Sequence, residues 1–432
     1  MIYFVLLRLL SYSLILVLAC SEVLAQVREV NLQECFRLAL DRSDSIAISE
    51  AQIEQTESQI KQAQAGYLPV LSLQASTTQQ DESTNPLANS LSSTRQSTTN
   101  INLNQNLFQG FRDIATISQR KNLKLGFEWA KKQAIQQLYK DVAQAFYSLL
   151  IFQSDMTLYK KQIESTTRRK SELNSAKRSG RARDSDILTA ESSIASLEAA
   201  ISRTEGLVVT YQEAFKFLTG ISSEVRLIDR TELPNDFKTA EVWLEKADLR
   251  PDIQQSKSNL LASEDGIKAA KSGFYPTLGL TGNYYMTRPK GIFQGVEWDT
   301  SLTLSFPFFS GGLTKAQVSE ANTINRSKAR MLQQTKELAE QSIRTAFATL
   351  QSDFNQLKKL NSASVLSKRS YDLVHRDNRL GMATNTDVLT ALQIWQESKR
   401  NLERARITTV YDYIKLQLET SQQPDQRSRW EK

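Results

Sequence analysis

Residues able to do chemistry are few, and they do not form a catalytic set. The chain holds one histidine, His375, and two cysteines, Cys20 and Cys35. A zinc site needs Cys, His or carboxylate ligands at set spacings. No Cys/His cluster meets that need, and His375 lies in a charged helical stretch where solvation accounts for it. There is no P-loop, glycine-rich dinucleotide fingerprint or nucleophile elbow. The 47 acidic residues are scattered along helical stretches. An enzyme is therefore not expected, nor a metal or cofactor. Two carboxylates stand apart by position: Asp186 and Asp387 occupy the same place in two copies of one segment. A carboxylate at a helix start can cap the helix, which is the plain account of both. Cys20 offers a thiol that a lipoprotein pathway could acylate.

The elements that carry these residues begin with a leader. Met1 to Ala19 contains one charge, Arg8, and then an apolar run of about 11 residues, too short to span a bilayer and suited to a signal peptide. Val23-Leu24-Ala25 offers a cleavage site before Gln26. Val17-Leu18-Ala19-Cys20-Ser21 offers the alternative, residues 1–19 removed and Cys20 lipidated, although Leu18 is unusual in such a motif. Either way Cys35 is the only cysteine left for the mature chain, and no intramolecular disulfide is expected. No later stretch reaches roughly 18 apolar residues, so a membrane could be crossed only by strands. The net charge of +7 is spread thinly and carries no basic block with interleaved aromatics, which argues against nucleic acid. Fifteen glycines and eight prolines in 432 residues predict long, uninterrupted elements.

The chain repeats itself. Ala65-Gly66-Tyr67-Leu68-Pro69 returns as Ser272-Gly273-Phe274-Tyr275-Pro276, an offset of 207 (65 to 272). Leu107-Phe108-Gln109-Gly110 returns as Phe308-Phe309-Ser310-Gly311, and Gly180…Asp186-Ile187-Leu188-Thr189-Ala190 as Gly381…Asp387-Val388-Leu389-Thr390-Ala391, offset by 201 (180 to 381). Each half reads as a helix (46–64, 253–271), a Gly-aromatic-x-Pro break and two alternating segments (70–76 and 100–107; 277–284 and 298–306). The segments flank polar loops at 81–96 and 289–296. Their length and period of two suit strands crossing a bilayer. A soluble sheet is the plainer alternative, but an isolated hairpin is marginal.

A very long helix follows in each half. Arg112 to about Lys177 would run about 95 Å, with Ile135, Leu138, Val142, Ala145, Leu149, Phe152, Met156, Tyr159 and Ile163 alternating spacings of three and four. Turns are expected at Gly180 and Gly381, with Ser185-Asp186 capping the returning helix and its counterpart starting at Asp387. Four membrane strands cannot stand alone, because their outer edges would leave backbone groups unpaired in lipid. Strands from several chains must close a barrel, and the alternation alone does not fix how many.

The repeat resembles the TolC-like outer-membrane efflux and secretion channels over nearly the whole mature chain. Gly66-Tyr67-Leu68-Pro69, Gly273-Phe274-Tyr275-Pro276, Leu249-Arg250-Pro251-Asp252-Ile253, the Phe-x-Gly ends at Gly110 and Gly311, and Gly381…Asp387-Val388-Leu389 carry it. The resemblance implies an α+β membrane protein: a homotrimer whose twelve-stranded barrel in outer-membrane lipid continues into a periplasmic α-helical barrel. It implies a passive duct for efflux or type I secretion, docked to a periplasmic adaptor and an inner-membrane transporter. The turns at Gly180, Asp186, Gly381 and Asp387 would form the periplasmic end, closed at rest and touching the adaptor, with Asp387 at an acidic pore constriction that favours cations. The family's second aspartate falls on Thr390 and its basic brace on Ala383, so this gate departs from the pattern. The expected layout is a leader (1–25), two repeats (26–225 and 226–420) and a disordered polar tail (421–432). A periplasmic coiled-coil adaptor or filament subunit is the rival, yet an adaptor expects one hairpin between soluble β domains. A porin would lack the long helices.

Overall fold

The computed structural model describes residues 28–81, 94–221, 225–234, 237, 239–289 and 293–420. The leader, Cys20 and the tail 421–432 lie outside the described residues, as does most of the 81–96 loop. The first half runs β1 (Arg28–Val30), α1 (Leu32–Leu40), α2 (Asp44–Ala65), β2 (Val70–Gln79), β3 (Arg95–Gln109), α3 (Arg112–Arg178) and α4 (Asp184–Thr219). The second runs β4 (Val225–Leu227), α5 (Ala240–Leu244), α6 (Pro251–Lys271), β5 (Thr277–Thr287), β6 (Trp298–Ser305), α7 (Leu313–Arg379) and α8 (Asn385–Glu419). The element types agree with the reading of the sequence, and each strand or long helix lies within a few residues of its expected bounds. Beyond it lie the three-residue strands β1 and β4, which pair in parallel, and the short helices α1 and α5.

The two long helices have 67 residues each, or about 100 Å at 1.5 Å per residue. They organise the rest as a wall. Above the middle, α2, α3, α6 and α7 stand side by side in that order; below it, α4, α3, α8 and α7 do. The four strands form one antiparallel sheet in the order β2-β3-β5-β6. Each layer is thus four elements wide and open at both sides. Where strand meets helix, Gly110 adopts φ +61°, and a Cβ there would sit 2.6 Å from the Ser272 carbonyl oxygen. Only glycine fits that corner.

A belt of apolar packing joins the halves at mid-height. Cys35 and Ala39 of α1, Val142, Phe146 and Leu149 of α3, Phe215 of α4, Val225 and Leu227 of β4, and Ile414 of α8 are all buried in it. The α1 helix enters the belt through Asn31, whose side chain accepts from the Glu34 N–H at 2.9 Å. The expected apolar seam of α3 holds through Leu149. Between Leu149 and Leu173 the buried positions are polar: Asp155, Gln162, Thr166 and Arg169.

Asp412 of α8 lies close to the same belt, 7% exposed. Burial, and then the hydrogen-bonded Asp353 carboxyl of α7, push it up to about 7, with Lys415 opposing. Between pH of about 4 and 7 the folded chain therefore holds a proton that the unfolded chain has lost. Its contribution to stability falls as pH rises through that window. Asp412→Asn is expected to melt higher than the parent at pH 8, with the gain shrinking towards pH 4. An equal shift at both pH values in thermal melting would contradict this.

Candidate functional site

The sheet has two chemically distinct faces. In register, Leu71 faces Leu103 and Leu73 faces Ile101. Ile101 faces Tyr284 and Leu103 faces Gly282 on β5, while Leu278, Leu280 and Tyr284 face Leu304, Leu302 and Trp298 on β6. These side chains share one face and are open to the surroundings: Leu71 is 69% exposed, Leu302 64% and Leu304 68%. Aromatics close the face at both ends, with Tyr284 and Trp298 at one and Phe306, Phe308 and Phe309 at the other. Leucines with aromatic girdles are what the outside of a membrane barrel presents to lipid. The opposite face carries Ser72, Gln74, Asn100, Asn102, Asn104, Thr281, Asn283, Asp299, Ser301 and Thr303, suited to water. Among the described residues no helix is long and apolar enough to cross a membrane.

The far ends of the helices form the second half of the site. Both hairpins turn the same way. Gly180 has φ +73° and Gly381 φ +77°, conformations that cost a side chain about 1 kcal/mol. Each turn closes with a long backbone bond: Arg181 N–H to the Ala176 oxygen and Met382 N–H to the Asp377 oxygen, both 2.9 Å. Basic residues Lys177 and Arg178, then Arg376 and Arg379, occupy the last turns, where they complement the helix dipole.

The returning helices begin two or three residues before the expected positions, and their caps differ. Thr384 is the cap of α8: its hydroxyl accepts from the Asp387 N–H at 3.2 Å. Asp387 Oδ2 in turn accepts from the Thr384 N–H at 2.8 Å and hydroxyl at 2.6 Å, a reciprocal capping box. On α4 the cap position holds Arg183, which has no acceptor, so only the return half forms: Asp186 Oδ2 takes the Arg183 N–H at 3.1 Å. Asp186 and Asp387 thus sit at the third helical position, and neither Ser185 nor Asp186 is the cap residue itself. Asp387 is exposed. The Thr384 hydroxyl and backbone hold its carboxyl below the usual range, so it is anionic near neutral pH.

Asp186 differs from its counterpart in being buried, at 9% exposure. It receives the Asn385 side-chain N–H at 2.9 Å. Asn385 and Asn378, both of the second hairpin, accept from Arg169 Nη2 of the first at 3.0 and 3.1 Å. Glu172 holds the other guanidinium nitrogen at 2.9 Å. Beneath this bridge Leu173, Ala190 and Leu389 make a small apolar core. Gly180, Asp186 and Gly381 are thereby gathered at one tip, with Asp387 outside the hydrogen-bonded bridge.

The bridge ends a polar seam running up α3 and α8. Gln396 donates to Ser165 at 2.6 Å; the Arg400 guanidinium lies over the Tyr159 ring at 5.0 Å; Arg404 Nε reaches both oxygens of Asp155 at 2.8 and 2.9 Å. Asp155 is 1% exposed, and among the described residues Arg404 is its ion-pair partner. The spacing of Asp155, Gln162, Thr166, Arg169 and Leu173 is helical, so a scan for a polar stripe beside the apolar seam would have found them. His375 is half-buried beside Tyr371, with ring centroids 5.9 Å apart, rather than fully solvated. The described residues contain no group of three or more His, Cys, Asp or Glu able to hold a metal.

Residues 36–221 and 245–418 match the family model described as outer membrane efflux protein. The probable efflux pump outer membrane protein TtgC of Pseudomonas putida is 25% identical over 301 residues, covering 67% of this chain and 60% of that protein. The chain thus spans less than two thirds of the length of the first curated relatives it matches. Among solved structures, CusC superposes with a TM-score of 0.79 at 16% identity, covering 90% of this chain and 91% of that one. VceC of Vibrio cholerae superposes at 0.77 and 18% identity, covering 90% and 95%.

Proposed function

This chain belongs to the outer membrane efflux protein family, and from that premise we propose that it is the outer-membrane channel of a tripartite efflux pump. Three copies close a twelve-stranded barrel in the outer membrane above a helical tunnel across the periplasm. The duct is passive. A periplasmic adaptor and an inner-membrane transporter meet it at the hairpin tips.

The observation that carries this is an amphipathic four-stranded sheet with two open edges. Among the described residues, strands β2 and β6 have a partner on one side only, and in lipid each unpaired backbone group would cost several kcal/mol. Pairing β6 of one copy with β2 of the next removes both edges. The helices ask for the same closure. On the free side of α7, Ile324, Met331 and Leu338 recur every seven residues at 48%, 52% and 56% exposure, a seam fit for a neighbouring helix. A coiled-coil adaptor has no use for membrane-length strands with a leucine face.

At the tips, the Arg169 bridge to Asn378, Asn385 and Asp186 holds the two hairpins of each copy together, which supports a resting state closed at the periplasmic end. Asp387, repeated in each copy, lines that constriction and favours cations. Planar-bilayer recording of the purified protein tests the function: discrete conductance steps are expected, and silence from well-incorporated protein would overturn it. In the same recordings Asp387→Ala should lose cation preference. Unchanged conductance and selectivity would leave Asp387 with its capping role alone.

A further inference from the structure

The interior of the four strands carries one charged residue besides Arg95 at the start of β3, and that residue is Asp299. It stands on the polar face opposite Asn283, at the end of the sheet away from the helices. Asn283 donates to Asp299 Oδ1 at 2.9 Å and accepts from Asn100 and Asn102 at 3.0 and 2.8 Å. A polar ladder thus runs across β3, β5 and β6 to one carboxylate.

Arg288, just past the end of β5, faces that carboxylate. Its Nη2 lies 3.7 Å from Asp299 Oδ2. The guanidinium is held by the Val296 carbonyl oxygen at 2.8 Å and by the face of Tyr285 at 4.1 Å. Tyr285 belongs to the polar face, so the pair lies on the water side of the sheet. Both groups are anchored rather than trailing in solvent: the Arg288 side chain is 20% exposed and that of Asp299 42%. Of the other charges at this end among the described residues, Asp81 lies just past β2, Arg95 shares the parity of the leucine face, and Glu297 precedes β6 on the polar side.

We propose that Arg288 and Asp299 form a charge-compensated pair that sets the ion selectivity of the duct at its outer mouth. The proposal rests on the barrel closing from three copies, which brings three such pairs into one ring. With both partners present, the ring adds no net charge, and the outer mouth favours neither sign. Removing one partner uncovers three like charges. A structural tie alone would weaken the sheet whichever partner was lost, whereas a selectivity pair must respond with opposite sign.

The test is the reversal potential under a potassium chloride gradient, for Arg288→Gln, Asp299→Asn and the double variant. Arg288→Gln should raise the cation-to-anion permeability ratio and Asp299→Asn should lower it. Each change should be about five-fold at 0.1 M salt, because three unit charges about 10 Å away, screened over one Debye length, favour one ion and disfavour the other by about two-fold each, and larger at lower salt. The double variant should return to the parent value. Conductance steps with unshifted reversal potentials, or shifts of the same sign, would overturn this proposal and leave the channel standing. Absence of steps in the parent protein would instead remove the channel reading on which it rests.

Discussion

Arg250→Ala is expected to destabilise the folded chain by about 3–5 kcal/mol, the usual cost of breaking a buried ion pair from one side. Arg250 stands immediately before α6 and is 15% exposed, against 14% for Glu419 at the end of α8. Its Nη1 reaches Glu419 Oε2 at 2.7 Å, the Glu419 carbonyl oxygen at 3.0 Å and the Ser342 hydroxyl of α7 at 3.0 Å. Its other nitrogens fork onto Asp252 at 2.8 and 3.1 Å, and Lys140 of α3 adds a second cation to Glu419 at 3.0 Å. One guanidinium thus ties the start of α6 to α7 and to the last turn of α8.

Burial opposes ionisation of Glu419, but Arg250 and Lys140 outweigh it and hold the carboxyl below its ordinary range. The pairing therefore stabilises above the unfolded value and is lost as pH falls through the folded one. Without Arg250, Glu419 and Asp252 would keep buried charge with less compensation. Arg250→Lys keeps the charge but not the fork and should fall between parent and alanine. Pairing Arg250→Ala with Glu419→Gln should cost less than the sum of the two. Thermal melting of the detergent-solubilised protein reads all three; a midpoint unchanged by Arg250→Ala would contradict the account.

Arg169→Ala is expected to open the periplasmic end. The bridge supplies two charge-assisted hydrogen bonds from the first hairpin to the second, and removing the donor leaves Asn378 and Asn385 each short of one. At roughly 1.5–3 kcal/mol for a bond to a charged group, even one such loss shifts a closed-to-open equilibrium by more than about ten-fold. Arg169 Nε is itself buried without a hydrogen-bond partner among the described residues, so the guanidinium is under-satisfied even with the bridge formed. The variant should show a markedly higher single-channel conductance than the parent. Asp155→Asn, higher on the same seam, should lower stability more than it changes conductance, because Asp155 and Arg404 lie well above the tip. A parent-like conductance for Arg169→Ala would mean that the tip is closed by other contacts.

The duplicated strands and the two long helices were legible because their signals extend over many residues. Leucines at every second position mark β2 and β6, and Gly180 and Gly381 mark turns that only a positive φ allows. The bridge was not legible for a physical reason. A heptad scan rewards apolar residues, and between Leu149 and Leu173 the buried stripe of α3 is Asp155, Gln162, Thr166 and Arg169, which such a scan reads as surface. Asn378 and Asn385 carry no pattern of their own; they matter because the packing of α3 against the α7–α8 turn brings Arg169 to them. The strands β1 and β4 are too short at three residues for alternation to appear. The cap positions are not legible because an aspartate near a helix start reads as the cap itself, whereas Asp186 and Asp387 stand at the third position and accept the backbone N–H of the cap residue, Arg183 or Thr384. The Arg288–Asp299 pair is invisible in one dimension, since the register of β5 on β6 makes it.

The most direct test of the central claim is the native mass of the membrane-extracted protein in detergent, by light scattering with the detergent subtracted. A mass of three chains is predicted, because only neighbouring copies can pair the open edges of β2 and β6. A monomer released without detergent would contradict the closed barrel and, with it, the duct.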